Sequence, residues 1–260
     1  MSIERPPAAR SLAEVAAEIA ERTACVAHAD SRFGRDFTQF IPGFDGAPEA
    51  ARGVVALSEC WMAKRAFVTP DNAVAGVRQR LLQRGVDLVV PSYGLHRGLL
   101  EVRAASLPES ALPHAGWLDC VEHYGVSLPL DELAGGGAID VIVTGASAVT
   151  VRGLRFGMGD VYLDIEWGIL RALGLVDDDT PVIACVHDTQ ISELPFDAQP
   201  GNVTADIIVT PSQTIRADAR GGRVRPAALD WSIVPPSLMR TTILQEFRQR
   251  SAGGAGHSCH

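Results

Sequence analysis

A chain of 260 residues, 47% hydrophobic and 21% charged, has the length and composition for one large domain, with or without an extension, around a sizeable core. Its net charge of −8 argues against the long-range attraction that a duplex nucleic-acid binder needs. No apolar run approaches membrane-spanning length, and Glu4, Pro6 and Pro7 stand where a secretory leader would have its apolar core, so a cytoplasmic protein without a membrane partner is expected.

In chain order, residues 11–22 predict an amphipathic helix capped by Ser11, with Leu12, Val15, Ala16 and Ile19 on one stripe. The stretch 30–46 reads as irregular. A helix is expected from about Pro48 to Ala63, with Ala50, Val54, Val55 and Trp61 sharing a face. Strands are predicted at 66–68, 86–90, 139–143, 148–151, 182–186 and 206–209. Helices are predicted at 72–83, near 115–123, at 161–173 and at 243–250, and the Gly-rich end 251–260 reads as a flexible tail. The five cysteines, Cys25, Cys60, Cys120, Cys185 and Cys259, lack zinc-type spacing and read as reduced thiols.

Short apolar strands alternating with helices of 10 to 15 residues imply right-handed βαβ units. The expected fold is therefore α/β, a mainly parallel sheet with helices on both faces. Ligands in such sheets sit beyond the carboxyl ends of the strands. Four segments fall there: Thr69–Asn72, Gly145–Ala148, Gly153–Glu166 and His187–Gln190.

The run Gly153–Glu166 is the richest in chemistry. Gly157 and Gly159 permit close backbone approach before a helix N-terminus, where N–H groups can meet an anion and Arg155 can add a charged fork. Asp164 and Glu166 near the helix start either complement its dipole or hold Mg²⁺. His187 and Asp188 end a strand, where they act either as an acid/base pair or as loop-capping groups. Lys64 and Arg65, just before the first strand, supply either extra positive charge to a ligand or solvated helix-end cations.

This run resembles the signature of the 5-formyltetrahydrofolate cyclo-ligase (methenyltetrahydrofolate synthetase) family in its variant ending in D-x-E. Three further stretches agree in order: Ile41–Ala47 with Ala50-Ala51; Asp71, Arg78 and Leu82–Pro91; and Val186–Gln190 with Asp206–Pro211. The resemblance covers about residues 37 to 215. It implies a three-layer α/β fold similar to ribose-5-phosphate isomerase and CoA-transferase domains, with 1–36 as a helical extension and 37–250 as the cyclo-ligase-like domain. It also implies Mg·ATP, which phosphorylates a formamide oxygen before ring closure.

By matching position, the resemblance places Arg155, Gly157, Met158 and Gly159 in the phosphate loop, Asp164 at the metal and Tyr162 beside the substrate. Met158 stands where the family has a second cation, Val161 where it has a third glycine, and Asp160 adds an anion that a shared Mg²⁺ would bridge. Gly201-Asn202 stand where the family has a His-Asp pair. These departures shift the expected substrate from 5-formyltetrahydrofolate to a small N-formyl intermediate of specialised metabolism, closed by a cyclodehydratase to an oxazole. Folate cyclo-ligation and a non-catalytic nucleotide- or folate-binding role are the alternatives. Glu166 and His187 are the acids available if no nucleotide is used.

Overall fold

A computed structural model describes residues 10–254 apart from 38, 158–159, 195, 199–200 and 218–222, with only the backbone at 160 and 252–254. Eight strands form one sheet: β1 (Arg65–Val68), β2 (Asp87–Pro91), β3 (Leu99–Val102), β4 (Val126–Ser127), β5 (Val141–Thr144), β8 (Val182–Cys185), β10 (Ile207–Val209) and β11 (Thr214–Arg216). Their spatial order is β11-β10-β8-β5-β1-β2-β3-β4. The five central strands are parallel, and β3, β4 and β11 extend the edges antiparallel. A smaller sheet joins β6 (Ala148–Thr150) to β7 (Arg155–Phe156) antiparallel and to β9 (Ile191–Ser192) parallel.

The alternating direction of side chains along each strand explains the three layers. Phe67, Val89, Ile142, Val182 and Ile208 point to one face. There they meet α6 (Leu130–Gly135), α7 (Asp160–Ala172) and α8 (Thr242–Gly254). Their neighbours Ala66, Val68, Val90, Val143 and Val209 point to the other face, against α2 (Ala47–Ala56), α4 (Ala75–Gln83) and α5 (Leu118–Tyr124). Strands covered on both sides need apolar residues at every position, which is why they read as continuous runs.

Helix α1 (Leu12–Thr23) forms as expected. The Ser11 hydroxyl accepts from the Glu14 N–H, and the Glu14 carboxylate accepts from the Ser11 N–H. Its apolar face, Val15 and Ile19, packs on Ala148, Leu154 and Phe156 of the smaller sheet. The segment expected as an extension thus docks on the fold.

Three expectations are corrected. The helix anticipated over 48–63 breaks at Leu57, whose backbone is extended (ψ 145°), so α2 is followed by a separate turn, α3 (Ser58–Trp61). Trp61 consequently leaves the apolar face and is 65% exposed, with the Arg84 guanidinium 4.5 Å above its ring. No strand is predicted between 90 and 139, yet β3 forms there, and the final helix continues to Gly254, into the segment read as a tail. The remainder of that tail lies outside the described residues.

Candidate functional site

The parallel strands deliver their carboxyl ends to one side of the sheet, and a cavity of about 400 Å³ opens there. Thr69–Asn72 follow β1, Ser92–Gly94 follow β2, and Thr144 ends β5. Helix α7 turns Tyr162, Leu163 and Glu166 into the same space. The irregular stretch before α2 closes it with Asp30, Arg32, Phe33 and Phe40. Two carboxyl groups from distant parts of the chain, Asp71 and Glu166, therefore share one cavity.

Asp71 is held in place. Its Oδ2 accepts from the Thr69 hydroxyl at 2.5 Å and from the Gly145 N–H at 3.1 Å. Glycine at 145 leaves room for this approach, since a Cβ there would press on Asp71 at 3.1 Å and on Ile41 at 3.0 Å. Burial pushes the Asp71 carboxyl up, opposed by these two donors and by the Arg78 and Arg155 guanidiniums. Arg78 is itself fully buried and donates to the carbonyls of Thr69, Asp71 and Gly116.

Glu166 is 2% exposed, and its Oε2 finds no hydrogen-bond partner among the described residues. Burial, then the charge of Asp71, raise its carboxyl well above the ordinary range, with Arg155 pulling the other way. Of the pair, Glu166 is the more strongly raised. A neutral buried carboxylic acid is a proton donor, and an ionised neighbour makes it a better-retained one. The half-buried Tyr162, one turn before Glu166, lines the same cavity.

Over the mouth, Asp30 accepts from the Asn72 amide at 2.8 Å and from the N–H groups of Arg32 and Phe33. Burial opposes ionisation of Asp30, but these donors outweigh it and hold its carboxyl below the usual range. The Arg32 guanidinium lies 3.7 Å from Asp30 and 5.4 Å from the centre of the Tyr93 ring. Aromatic Phe33, Phe40, Tyr93 and Tyr162 thus surround a floor of carboxyl groups.

The remaining candidates fall elsewhere. Arg155 and Asp164 form a buried ion pair at 3.0 Å. Arg155 also donates to the Val203 carbonyl, and Asp164 accepts from the Val203 N–H and the Asn202 amide. Both side chains are 2% exposed and spent on one another and on the 202–203 backbone segment. They act on the cavity only through the field they exert on Asp71 and Glu166. Gly157 has φ +98°, and a Cβ there would meet Ser147 at 2.9 Å, so it shapes the turn into α7 rather than lining the cavity. Met158, Gly159 and the Asp160 side chain lie outside the described residues.

Two further expectations are corrected by placement. Lys64 precedes β1 and Arg65 is its first residue, so both sit at its amino end, at the opposite end of the strand from the cavity. Arg65 is buried in an ion pair with Glu101 at 2.9 Å and donates to the carbonyls of Leu133 and Gly137. His187 and Asp188 take the capping role. His187 Nδ1 accepts from the Thr189 N–H, while Asp188 accepts from the hydroxyls of Thr210 and Ser212. Asp188 borders a second groove against α1 that also contains Arg10 and Arg22. Arg10 is paired with Glu18 there, and Arg22 donates to the carbonyls of Thr189 and Ile191.

The donor set does not fit Mg·ATP among the described residues. The implied phosphate-loop arginine and metal aspartate have no face turned to a ligand, and the one guanidinium among the cavity's lining residues is paired with Asp30. No group of three or more His, Cys, Asp or Glu among the described residues is placed to hold a metal ion.

Asp71, to which no expected role was given, stood in the sequence as one residue of the resemblance and of the Thr69–Asn72 segment after a strand. Nothing local distinguishes that aspartate from an ordinary turn residue. Its partner Glu166 lies 95 positions away.

Comparison with known proteins adds independent information. The family model for the 5-formyltetrahydrofolate cyclo-ligase family matches residues 18–211. A human methenyltetrahydrofolate synthase domain-containing protein is 29% identical over 222 residues, covering 84% of this chain and 57% of its own length. The Danio rerio protein of the same description is 27% identical over 224 residues, with the same coverage of both chains. The chain thus spans less than two thirds of these relatives. A solved structure of Aquifex aeolicus 5,10-methenyltetrahydrofolate synthetase superposes with a TM-score of 0.48 at 17% identity, covering 81% of this chain and 93% of that one. With a family model matching well over half of its residues, the chain belongs to the 5-formyltetrahydrofolate cyclo-ligase family.

Proposed function

We propose that this protein closes the ring of 5-formyltetrahydrofolate, joining an N-formyl carbon to a neighbouring amine nitrogen to give 5,10-methenyltetrahydrofolate. The observation that carries the reading is the pairing of a buried, unpartnered acid, Glu166, with the fixed carboxyl of Asp71 in one cavity.

The charge balance of the reaction matches that pairing. Attack of the amine on the formyl carbon and transfer of its proton to oxygen give a carbinolamine. Glu166 then protonates the departing hydroxyl, the C–O bond breaks, and water leaves. Formamide, amine and one proton thus become a cyclic amidinium and water. The product bears a positive charge that the reactants' organic skeleton lacked, and carboxylates already in place stabilise it as it develops.

The same balance favours this reading over oxazole formation. Closure by an enol oxygen yields a neutral ring, for which three carboxyl groups around the cavity offer no Coulombic gain. The relatives' names point to the folate side as well.

The test is to follow the methenyl chromophore and phosphate release with 5-formyltetrahydrofolate, and with small N-formyl aminoacyl compounds, each with and without Mg·ATP. Closure of the folate and not of the aminoacyl compounds is expected. Turnover of the aminoacyl compounds alone would return the reading to oxazole formation.

A further inference from the structure

We propose that the Arg32 guanidinium at the cavity mouth is a carboxylate-binding subsite that selects substrates ending in an anionic tail, such as the glutamyl end of a folate, a role that rests on the ring-closing function proposed above.

The guanidinium is held along one edge and open along the other. Its Nε faces Asp30 Oδ1 at 3.7 Å, beyond hydrogen-bond length, and neither terminal nitrogen donates to a described residue. Asp30 is meanwhile engaged by other donors. Its Oδ1 accepts from the N–H groups of Arg32 and Phe33, and its Oδ2 accepts from the Asn72 amide. Asp30 thus anchors the inner edge of Arg32 and leaves the two outer nitrogens, a pair whose spacing matches both oxygens of a carboxylate.

The plane of the fork is held as well. The Arg32 guanidinium carbon lies 5.4 Å from the centre of the Tyr93 ring and 5.9 Å from that of Phe33. Those two rings are 5.4 Å apart. Tyr93 is itself fixed, because its N–H donates to Glu122 and its hydroxyl to the Gln39 carbonyl. A stacked guanidinium loses little freedom when it takes up a ligand, so its donors are set before the substrate arrives.

Position names the ligand. The Arg32 side chain is 38% exposed, whereas Glu166 is 2% exposed. From inside to outside the cavity therefore runs from Asp71 and Glu166, along walls that include Phe33, Phe40 and Tyr93, to Arg32. The proposed substrate has the same order: the reacting N-formyl pteridine, an aminobenzoyl ring, then glutamyl carboxylates. A chain of net charge −8 repels such a tail at long range, and a cation at the mouth offsets that repulsion where the tail arrives.

The experiment measures closure by the full chain with Mg·ATP present throughout. It compares 5-formyltetrahydrofolate with its diamide, in which both glutamyl carboxylates are neutral and the reacting atoms are unchanged. The protein should prefer the free acid by about tenfold in kcat/KM. Arg32→Met should lose most of that preference through a raised KM for the free acid, and Arg32→Lys, which keeps the charge without the fork, should retain part of it.

Equal use of the two compounds by the unmodified protein would overturn the inference and leave the proposed function standing. So would an Arg32→Met variant that slows both compounds alike, the mark of a structural role. A phosphate offers the fork similar acceptors, and a variant that keeps the preference but raises KM for Mg·ATP would assign Arg32 to the nucleotide instead. If the folded protein closes neither compound, the proposed function falls, and the subsite is read by calorimetric titration of the free acid. Binding about tenfold weaker in Arg32→Met would then sustain it, and equal affinities would overturn it.

Discussion

Glu166 and Asp71 place opposite demands on one cavity, since the first is useful protonated and the second ionised. Their environments separate them: Asp71 has the Thr69 hydroxyl, the Gly145 N–H and the nearby Arg78, whereas Glu166 Oε2 has no partner among the described residues. Glu166→Gln should reduce closure at least about a hundredfold with folding intact by circular dichroism. The groups acting on Glu166 are Asp71, Arg155 and Asp164, and its charge in turn reaches Tyr162. Because its pKa is raised, the active acid form persists above the ordinary carboxyl range and is lost as pH rises through the folded value. The closure rate should therefore fall on the alkaline side, and Asp71→Asn, by removing the neighbouring anion, should move that limb to lower pH. Arg155 makes a different prediction. Arg155→Met leaves Asp164 buried and uncompensated, so it should cost about 3–5 kcal/mol in urea unfolding. Unchanged stability with weakened nucleotide affinity would instead return Arg155 to a phosphate-holding role.

At the scale of elements, the site depends on where turns stop. The β5 strand ends at Thr144, and Gly145 brings its N–H onto Asp71 because no side chain intervenes. Gly145→Ala should displace Asp71 and lower turnover more than stability, measured as kcat against the unfolding midpoint. Helix α1 contributes through packing. Ser11→Ala removes the hydroxyl half of its capping box and should cost about 1 kcal/mol, read from denaturant unfolding. The α1 pattern was legible because a cap, a capping box and an apolar stripe all lie within twelve residues. The break at Leu57 was not, since nothing local forbids a helix through Ala56-Leu57-Ser58. That break places Cys60 in the core and leaves Trp61 outside.

For the whole molecule, the parallel sheet has two ends with different work. Its carboxyl end holds the cavity, and its amino end holds Arg65 in a buried net with Glu101 and the carbonyls of Leu133 and Gly137. Arg65→Met should therefore lower the unfolding free energy by about 3–5 kcal/mol while leaving KM for the folate unchanged. No helix among the described residues is long and apolar enough to cross a membrane, in line with the sequence. By itself the sequence determined the α/β class, the central strands and the family. Strands buried on both faces must be apolar at every position, and ordered motifs from Ile41 to Pro211 survive as linear text. Only the tertiary structure decided which polar residues line the cavity. Arg155, Asp164, His187 and Asp188 carry the expected chemical groups, yet their hydrogen bonds are satisfied within the protein. Glu166 stood out in the chain beside Asp164, but only the tertiary structure sets it in one cavity with Asp71, where burial and the neighbouring carboxyl raise its pKa.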